Sequence, residues 1–595
     1  MVKPHARWLH PLVVALAAIL PYLAILGNGF VWDDHVLIEN NPALARPLAA
    51  FGEFVAIGQQ RTPYYRPVAV LWWFLLRNLL GLGPAGFHAV SILLHAGSAV
   101  LVLLIARRLL APGAALLAGL LFALHPAHVE PVAFASTGPT ELLPSALMLA
   151  GLLALLPPGG RVGAPGLPSP ARVWTAAALA FLASLAKEPA ALFAAVGLIA
   201  LAAPRPGVLP RWRATARIAL PLFVAPAVYA GMRLWLARPE TMGRAAIVPH
   251  DPAIVPTWLL KVATYLVLPL EPVPYHVLQP LGAGGVVLLL ALGLGAALVL
   301  RPLFTDPWRR CALWIGCGLF LVPLVPTFPL VPRGGAEFAE RFLFLPSAGF
   351  CILAAAAVPL PGRDSPRWRV VATAAAAALV ALTTARISGF VVHWRDDATL
   401  FSRALELEPD NANLLLVRGS QLLAAGDAAG AEPFLLRAQA LRPRAGEVRL
   451  ALARVAQARG RTAAARAAYQ ALLEDTRLRP VALMELGLLQ AQAGEGDLGE
   501  AEFAEAVRLD PLLVDAHLNL GEIAWRRGDR DAARGHWERG LAVAPRDAAL
   551  LYDLGIDAQE RGDWALAREL YGRALEADPR LEPARRQLER LPPAP

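Results

Sequence analysis

The sequence predicts an all-α protein: a polytopic membrane helix bundle of about 11 spans over residues 1–393, followed by an α-solenoid over 394–595. Three observations carry that expectation. Apolar runs recur through residue 392, charge divides unevenly near residue 393, and a 34-residue period begins just beyond it.

The apolar runs come first. At a rise of about 1.5 Å per residue and a hydrocarbon core of about 30 Å, runs long enough to cross lie near 8–27, 86–106, 113–126, 139–157, 173–187, 189–203, 214–236, 282–300, 311–330, 342–360 and 368–392. A further stretch, 256–270, reads as lying on or re-entering the outer face, because a crossing there would invert the charge pattern of every later loop. With that assignment Lys3/Arg7, Arg107/Arg108, Arg161/Arg172, Arg205/Arg211/Arg213, Arg301/Arg309/Arg310 and Arg363/Arg367/Arg369 share one side, which is cytoplasmic by the positive-inside rule. Twelve of this half's fourteen carboxylates fall on the other side; only Asp306 and Asp364 stay inside. The first run lacks a convincing small-residue cleavage site and reads as an uncleaved helix. Eleven crossings from a cytoplasmic start put residue 393 onward in a periplasm or equivalent lumen, so the expected setting is a bacterial inner membrane.

Composition agrees. Residues 1–393 carry a net charge of +14 and the remainder −5, within an overall +9. A chain of pI near 9.9 could contact nucleic acid, but here the basic excess sits in short loops between apolar runs, and the second half is acidic. No nucleic-acid partner is expected. Cys311, Cys317 and Cys351 all lie in apolar segments and form neither a disulfide framework nor a CxxC metal site.

The repeat is read from three registers. Pro409, Pro443, Pro511, Pro545 and Pro579 share one, with Arg477 in the missing place; Gly419, Gly487, Gly521 and Gly555 share a second, with Ala453 substituting. Gly426, Gly460, Gly494, Gly528 and Gly562 form the third, each followed nine residues later by a bulky side chain: Leu435, Tyr469, Phe503, Trp537 or Tyr571. This resembles the tetratricopeptide repeat, two antiparallel helices per unit. Five full repeats are expected, preceded by a leading helix in "WRDDATLFSRALELEP". Such solenoids bind peptides or proteins along a concave face, although a spacer or oligomerisation role is open to them.

Ionisable residues gather on the predicted outer face: Asp33 and Asp34, Arg66, His88 and His95, His125, His128 and Glu130, Lys187 and Glu188, Glu340 and Arg341. Such groups at membrane ends are costly unless they pair or act. Blander roles exist for each. Asp33–Asp34 could cap a helix, Lys187–Glu188 could be a hairpin tip in water, Glu340–Arg341 a headgroup anchor, and His88 and His95 packing residues. His125 and His128 stand three apart beside a proline, with no HExxH pattern, so hydrogen bonding or substrate contact is favoured over a metal. No metal or other cofactor is expected.

In order along the chain, "FVWDD...IENNP", "YRPV", "GFHAVSILLH", "LFALHPAHVEPVAF", "SLAKEPA", "ERFLFLPSAGF" and "WRDDATLFSRALELEPDN", then the repeats, resemble the transmembrane and tetratricopeptide-repeat O-mannosyltransferase family and its bacterial relatives, within the broader C-type glycosyltransferases. One departure is "STGPTELLP", with Pro139 and Thr140 where the family has charged residues; another is 237–281, which matches the family's central domain poorly. The resemblance implies transfer of a sugar, mannose or another hexose, from a polyprenyl-phosphate donor to Ser/Thr hydroxyls of polypeptides, with inversion. It implies Asp33 as catalytic base with Asp34 as its partner, since adjacent carboxylates raise each other's proton affinity. Arg341 and then Lys187 would hold the donor phosphate. Glu340 and Glu188 would orient these cations, with His125, His128, Glu130 and Arg66 supporting or contacting substrate. A lipid or glycan acceptor, with the repeats recruiting an envelope protein, and a non-enzymatic membrane scaffold are the competing readings.

Overall fold

The computed structural model describes residues 6–39, 41–45, 47–52, 56–57, 60–61, 64–157, 167–204, 212–236, 252–268, 270–328, 338–358, 366–494 and 496–592. Lys3, Arg161, Arg205, Arg211 and Arg363, and the loop stretches 237–251 and 329–337, lie outside them. The described elements are helices, apart from a hairpin of two two-residue strands pairing Ala56 with Arg61 and Ile57 with Gln60, and an isolated bridge between His276 and Phe338. It divides into two compact units, one of Met1–Glu39, Pro47–Val55 and Thr62–Leu407, the other of Glu408–Pro595 with Asn40–Arg46 and Ala56–Arg61. The division expected at 393 therefore falls after Leu407. The leading helix, Asp397–Leu407, packs with the first unit, with Phe401 buried against Trp32.

Among the described residues of the first unit, eight helices are long and apolar enough to cross a membrane: Trp8–Gly27, Pro84–Leu109, Ala135–Leu155, Thr215–Leu236, Ala283–Thr305, Arg309–Thr327, Glu340–Ala357 and Ala377–Trp394. The expected span 113–126 is a pair, Pro112–Ala123 and Pro126–Ala133, bent by 48°. Pro126 supplies the reason: it removes a backbone donor and stops the first helix. The expected spans 173–187 and 189–203 are the shorter apolar helices Pro170–Ala186 and Glu188–Ala202. Lys187, in extended conformation, separates them, and 17 residues rise only about 25 Å. Among the described residues, eight helices, or nine with the bent pair as one span, meet the length and apolarity of a crossing on their own, and the other expected runs are shorter apolar helices or extend outside these residues. Val255–Val267 is 13 residues long, too short to cross, in keeping with its reading as a peripheral segment.

Sequence explains these elements locally. Proline occupies the first turn of Pro84–Leu109, Pro112–Ala123 and Pro170–Ala186, where a missing N–H costs nothing. In Pro84–Leu109 the polar residues His88, Ser91, His95 and Ser98 recur at helical spacing, and all are buried, so the helix turns its polar stripe inward. No residue in the apolar window of Ala283–Thr305 is buried, as on a lipid-facing helix. The first unit is a multi-pass membrane domain. At Gly349 an added Cβ would run into the backbone of Gly316 and Phe320, so Glu340–Ala357 and Arg309–Thr327 meet there without room for a side chain.

The second unit carries five helix pairs and a closing helix, Glu582–Arg590. The two glycine registers do different things. Gly426, Gly460, Gly494, Gly528 and Gly562 end the first helix of each pair with φ between +70° and +85°, a conformation that L side chains avoid. Gly487, Gly521 and Gly555 instead make room: a Cβ there would run into Phe503, Trp537 and Tyr571, the bulky residues of the second helix. After three of the turns, Asp427, Asp529 and Asp563 cap the next helix by accepting from the backbone N–H three residues on.

Candidate functional site

The loop after the first span places its two aspartates differently. Asp34 is fully buried, and its carboxylate accepts from the backbone N–H of Val31 at 3.2 Å, Ala135 at 3.3 Å and Ser136 at 2.7 Å. Burial pushes its carboxyl up to about 7 against the pull of these donors. These hydrogen bonds all come from backbone N–H groups, so Asp34 anchors the loop. Asp33 has no hydrogen bond or ion pair at contact distance among the described residues. Burial raises its proton affinity, and the nearby guanidinium of Arg341 lowers it.

Arg341 stands near Asp33, and Lys187 stands near Arg341 and Arg66; each of these three cations already holds a carboxylate. Arg341 bonds both oxygens of buried Glu130, through its guanidinium and through its backbone N–H at 2.8 Å. Its guanidinium carbon lies 5.9 Å from the Trp32 ring centre and 5.5 Å from that of Phe342. Lys187 pairs with Glu141, and its ammonium lies 5.6 Å from the same Phe342 ring. Burial lowers the proton affinity of Lys187, and Glu141 opposes this. Arg66 forks onto Glu188 at 2.8 and 2.9 Å, while the backbone N–H of Tyr65 donates to the same carboxylate. Asp33 is the carboxylate left without a cation of its own among these residues.

These pairings correct the expected orienting roles. Glu188 orients Arg66, not Lys187, and the acid on Lys187 is Glu141. Glu340 does not hold Arg341: it is fully buried, with Oε1 accepting from the backbone N–H of Val273 at 3.2 Å and lying 2.6 Å from His276 Nε2. Lys261 Nζ lies 2.8 Å from the other ring nitrogen of His276, so Glu340 braces residues 273–276 against Val255–Val267. The hairpin-tip alternative for Lys187–Glu188 fails, because both side chains are largely buried in ion pairs.

The histidines point into the protein. His125 Nε2 donates to the carbonyl of Leu266 at 3.1 Å, and its Nδ1 accepts from the Ala127 N–H. The Ser347 hydroxyl donates to the Phe344 carbonyl, so the 2.8 Å contact from His128 Nε2 must be a donation to Ser347 Oγ. His95 bonds the carbonyl of Ala123, and its ring lies 5.2 Å from that of His128. His88 lies 3.3 Å from the carbonyl of Gly29. His125 thus ties the bent pair to Leu266 and His128 Nε2 ties it to Ser347, while the buried His128 Nδ1 has no hydrogen-bond partner among the described residues. Among the described residues no group of three or more His, Cys, Asp or Glu is arranged to hold a metal ion.

Two participants escaped the sequence reading. Glu141 lies in "STGPTELLP", the segment seen as a departure; an acid inside an apolar run was the available signal. Trp32 gave no signal, since its role depends on a backbone φ of +50°. Lys187 and Glu141 also line a groove whose other walls include Pro144, Met148, Pro323, Phe342 and Pro346.

Comparison with known proteins agrees with this organisation. Residues 450–514 and 512–580 each match a tetratricopeptide-repeat family model. The chain is 28% identical over 479 residues to Protein O-mannosyl-transferase TMTC4 of Mus musculus and 27% identical over 477 residues to that of Homo sapiens. Each match covers 70% of this chain and 64% of the relative, so the chain spans a little under two thirds of these relatives' length. A solved structure, a thermophilic TPR protein of Thermus thermophilus, aligns with 30% of this chain and 97% of its own at 23% identity and a TM-score of 0.27.

Proposed function

We propose that this chain, similar over most of its length to proteins named protein O-mannosyl-transferases, moves mannose or another hexose from a polyprenyl-phosphate donor to Ser/Thr hydroxyls of polypeptides. The observation that carries the reading is the imbalance of the site: three paired cations and one unpaired carboxylate, Asp33, close to Arg341. Asp33 takes the hydroxyl proton as the acceptor oxygen bonds to the sugar carbon. The bond from that carbon to the phosphate oxygen breaks in the same displacement, inverting the carbon and releasing polyprenyl phosphate. Arg341 and Lys187 stabilise the negative charge that returns to the phosphate, while Glu130 and Glu141 keep both cations in place. Burial suits Asp33 to the task, since a base with raised proton affinity works nearer neutral pH. Apolar walls beside Lys187 fit an isoprenoid tail next to its phosphate.

The reaction runs on the outer face of a bacterial inner membrane, with the repeats on the periplasmic side presenting the polypeptide acceptor. The test is glycoproteomics of envelope proteins from cells expressing the parent or Asp33→Asn at matched protein levels, searched for hexose on Ser and Thr. Loss of specific hexosylated peptides supports the transferase and identifies its acceptors; identical peptides in both strains refute Asp33 as the base, and identical peptides in a strain lacking the whole chain refute the protein-directed reading.

A further inference from the structure

The loop that carries Asp33 is clamped by a segment that the sequence reading assigned to the repeat half. Asn28 Nδ2 donates to the carbonyl of Val391 at 3.1 Å, and the Gly29 N–H donates to that of Arg395 at 2.9 Å. The Trp32 N–H donates to Asp397 Oδ1 at 2.7 Å, and His35 Nε2 lies 3.6 Å from the other Asp397 oxygen. The Trp32 ring stacks on Phe134, at 5.8 Å with planes 7° apart, and meets Phe401 edge-on at 5.8 Å. Between these contacts Trp32 holds φ at +50°, where a bulky L residue is strained and persists only when its surroundings hold it. Asp33 is the next residue.

The second aspartate pair divides its labour as the first does. Asp396 caps the helix Asp397–Leu407 by accepting from the Thr399 N–H at 2.8 Å. Asp397 need not cap it, and its carboxylate reaches 365 residues back along the chain to Trp32.

We propose that Asp397 is a positioning residue: by accepting the Trp32 N–H it holds the left-handed turn that immediately precedes Asp33 and so fixes where Asp33 stands. The proposal rests on the transferase reading for its catalytic consequence, but not for its structural one. The segment 391–401 therefore completes the active-site loop, and the repeats begin after it.

The test uses the full-length protein in lipid nanodiscs with two readouts. The first is the rate at which a maleimide labels the introduced thiol of an Asp33→Cys variant, against the parent with its three native cysteines. Adding Asp397→Ala should raise that rate at least tenfold, whereas Asp397→Asn, which keeps an acceptor oxygen for the Trp32 N–H, should leave it within about threefold. The second is transfer of mannose from a short-chain polyprenyl-phosphate mannose to a Ser/Thr peptide. Asp397→Ala should lower kcat at least tenfold with both KM values within twofold, and Asp397→Asn should restore most of it. In a Trp32→Gly background, where positive φ is free of strain, Asp397→Ala should lose most of its effect on labelling. That background also serves if Asp397→Ala alone fails to fold.

Parent-like labelling in Asp397→Ala, or an Asn variant that labels like Ala, overturns the proposal. Full transfer by Asp33→Asn would sink the transferase role of Asp33 and leave the labelling result to decide on the clamp.

Discussion

Asp33 and Asp34 are neighbours with the same side chain and opposite surroundings, and substitution should separate them. In Asp34→Asn, an amide –NH2 would face backbone N–H groups that now reach an acceptor, and each buried group left unpaired costs about 1–3 kcal/mol. The expected outcome is a lower thermal midpoint of the detergent-solubilised protein and poor accumulation. Asp33→Asn should unfold at the parent's temperature yet transfer sugar about 10²–10⁴-fold more slowly, as loss of a general base does. Normal stability in Asp34→Asn would contradict its anchoring role. His35 gives a pH dependence. Its pKa is pushed up to about 9, first by its bond to Asp397 and also by Glu39, despite partial burial. A raised histidine contributes fully below its ordinary value of 6.5 and loses that contribution as pH rises through about 9. The difference in thermal midpoint between parent and His35→Gln should therefore be present at about pH 6 and vanish by about pH 10; a constant difference would mean that packing, not charge, is what His35 supplies.

At the scale of elements, close packing and turn geometry make opposite demands on glycine. Gly555→Ala would push a Cβ to 2.5 Å from the Tyr571 ring, and overpacking of this kind costs about 1–3 kcal/mol. Ala453 already stands in the equivalent register opposite Tyr469, so that pair accommodates what the others exclude. Chemical denaturation of the full chain should show a clearly destabilised repeat transition in Gly555→Ala, and in Ala453→Gly only the loss of about 1 kcal/mol or less that glycine costs inside a helix. Equal effects would show that the register is not set by the bulky partner. The same logic applies in the membrane unit. There Gly349→Ala sets a Cβ against the backbone of Phe320 rather than against a side-chain tip, so little can yield. The repeat period, its glycines and its caps were all readable in advance, because each is a local regularity spanning 34 residues or fewer. Span lengths were less readable, because hydropathy marks where an apolar run lies but not where its helix bends, as at Pro126, or stops short of a full crossing, as before Lys187.

At the scale of the molecule, the division after Leu407 predicts how truncations behave. A chain ending at 407 keeps Val391, Arg395, Asp397 and Phe401, and so keeps the loop that carries Asp33. A chain ending at 393 loses all but the first. Membranes containing the 407 form should transfer mannose to a short Ser/Thr peptide while modifying few native envelope proteins; the 393 form should do neither. Equal loss in both would place the repeats themselves in the chemical step.

By itself, the sequence pointed to a membrane domain of apolar helices, five tetratricopeptide-like repeats, and an expected outer-face set of Asp33, Asp34, Arg66, His88, His95, His125, His128, Glu130, Lys187, Glu188, Glu340 and Arg341. Apolar runs, loop charge and a fixed period are all written in neighbouring residues. Only the tertiary structure decided who pairs with whom: Arg341 with Glu130 across 211 residues, Arg66 with Glu188 across 122, Lys187 with Glu141, and Trp32 with Asp397 across 365. Such pairings follow from which helix ends the packing brings together, and no local pattern in an apolar run records its neighbour. That is why two adjacent aspartates, alike in the sequence, stand in such different surroundings: one held by three backbone donors, the other left open toward Arg341.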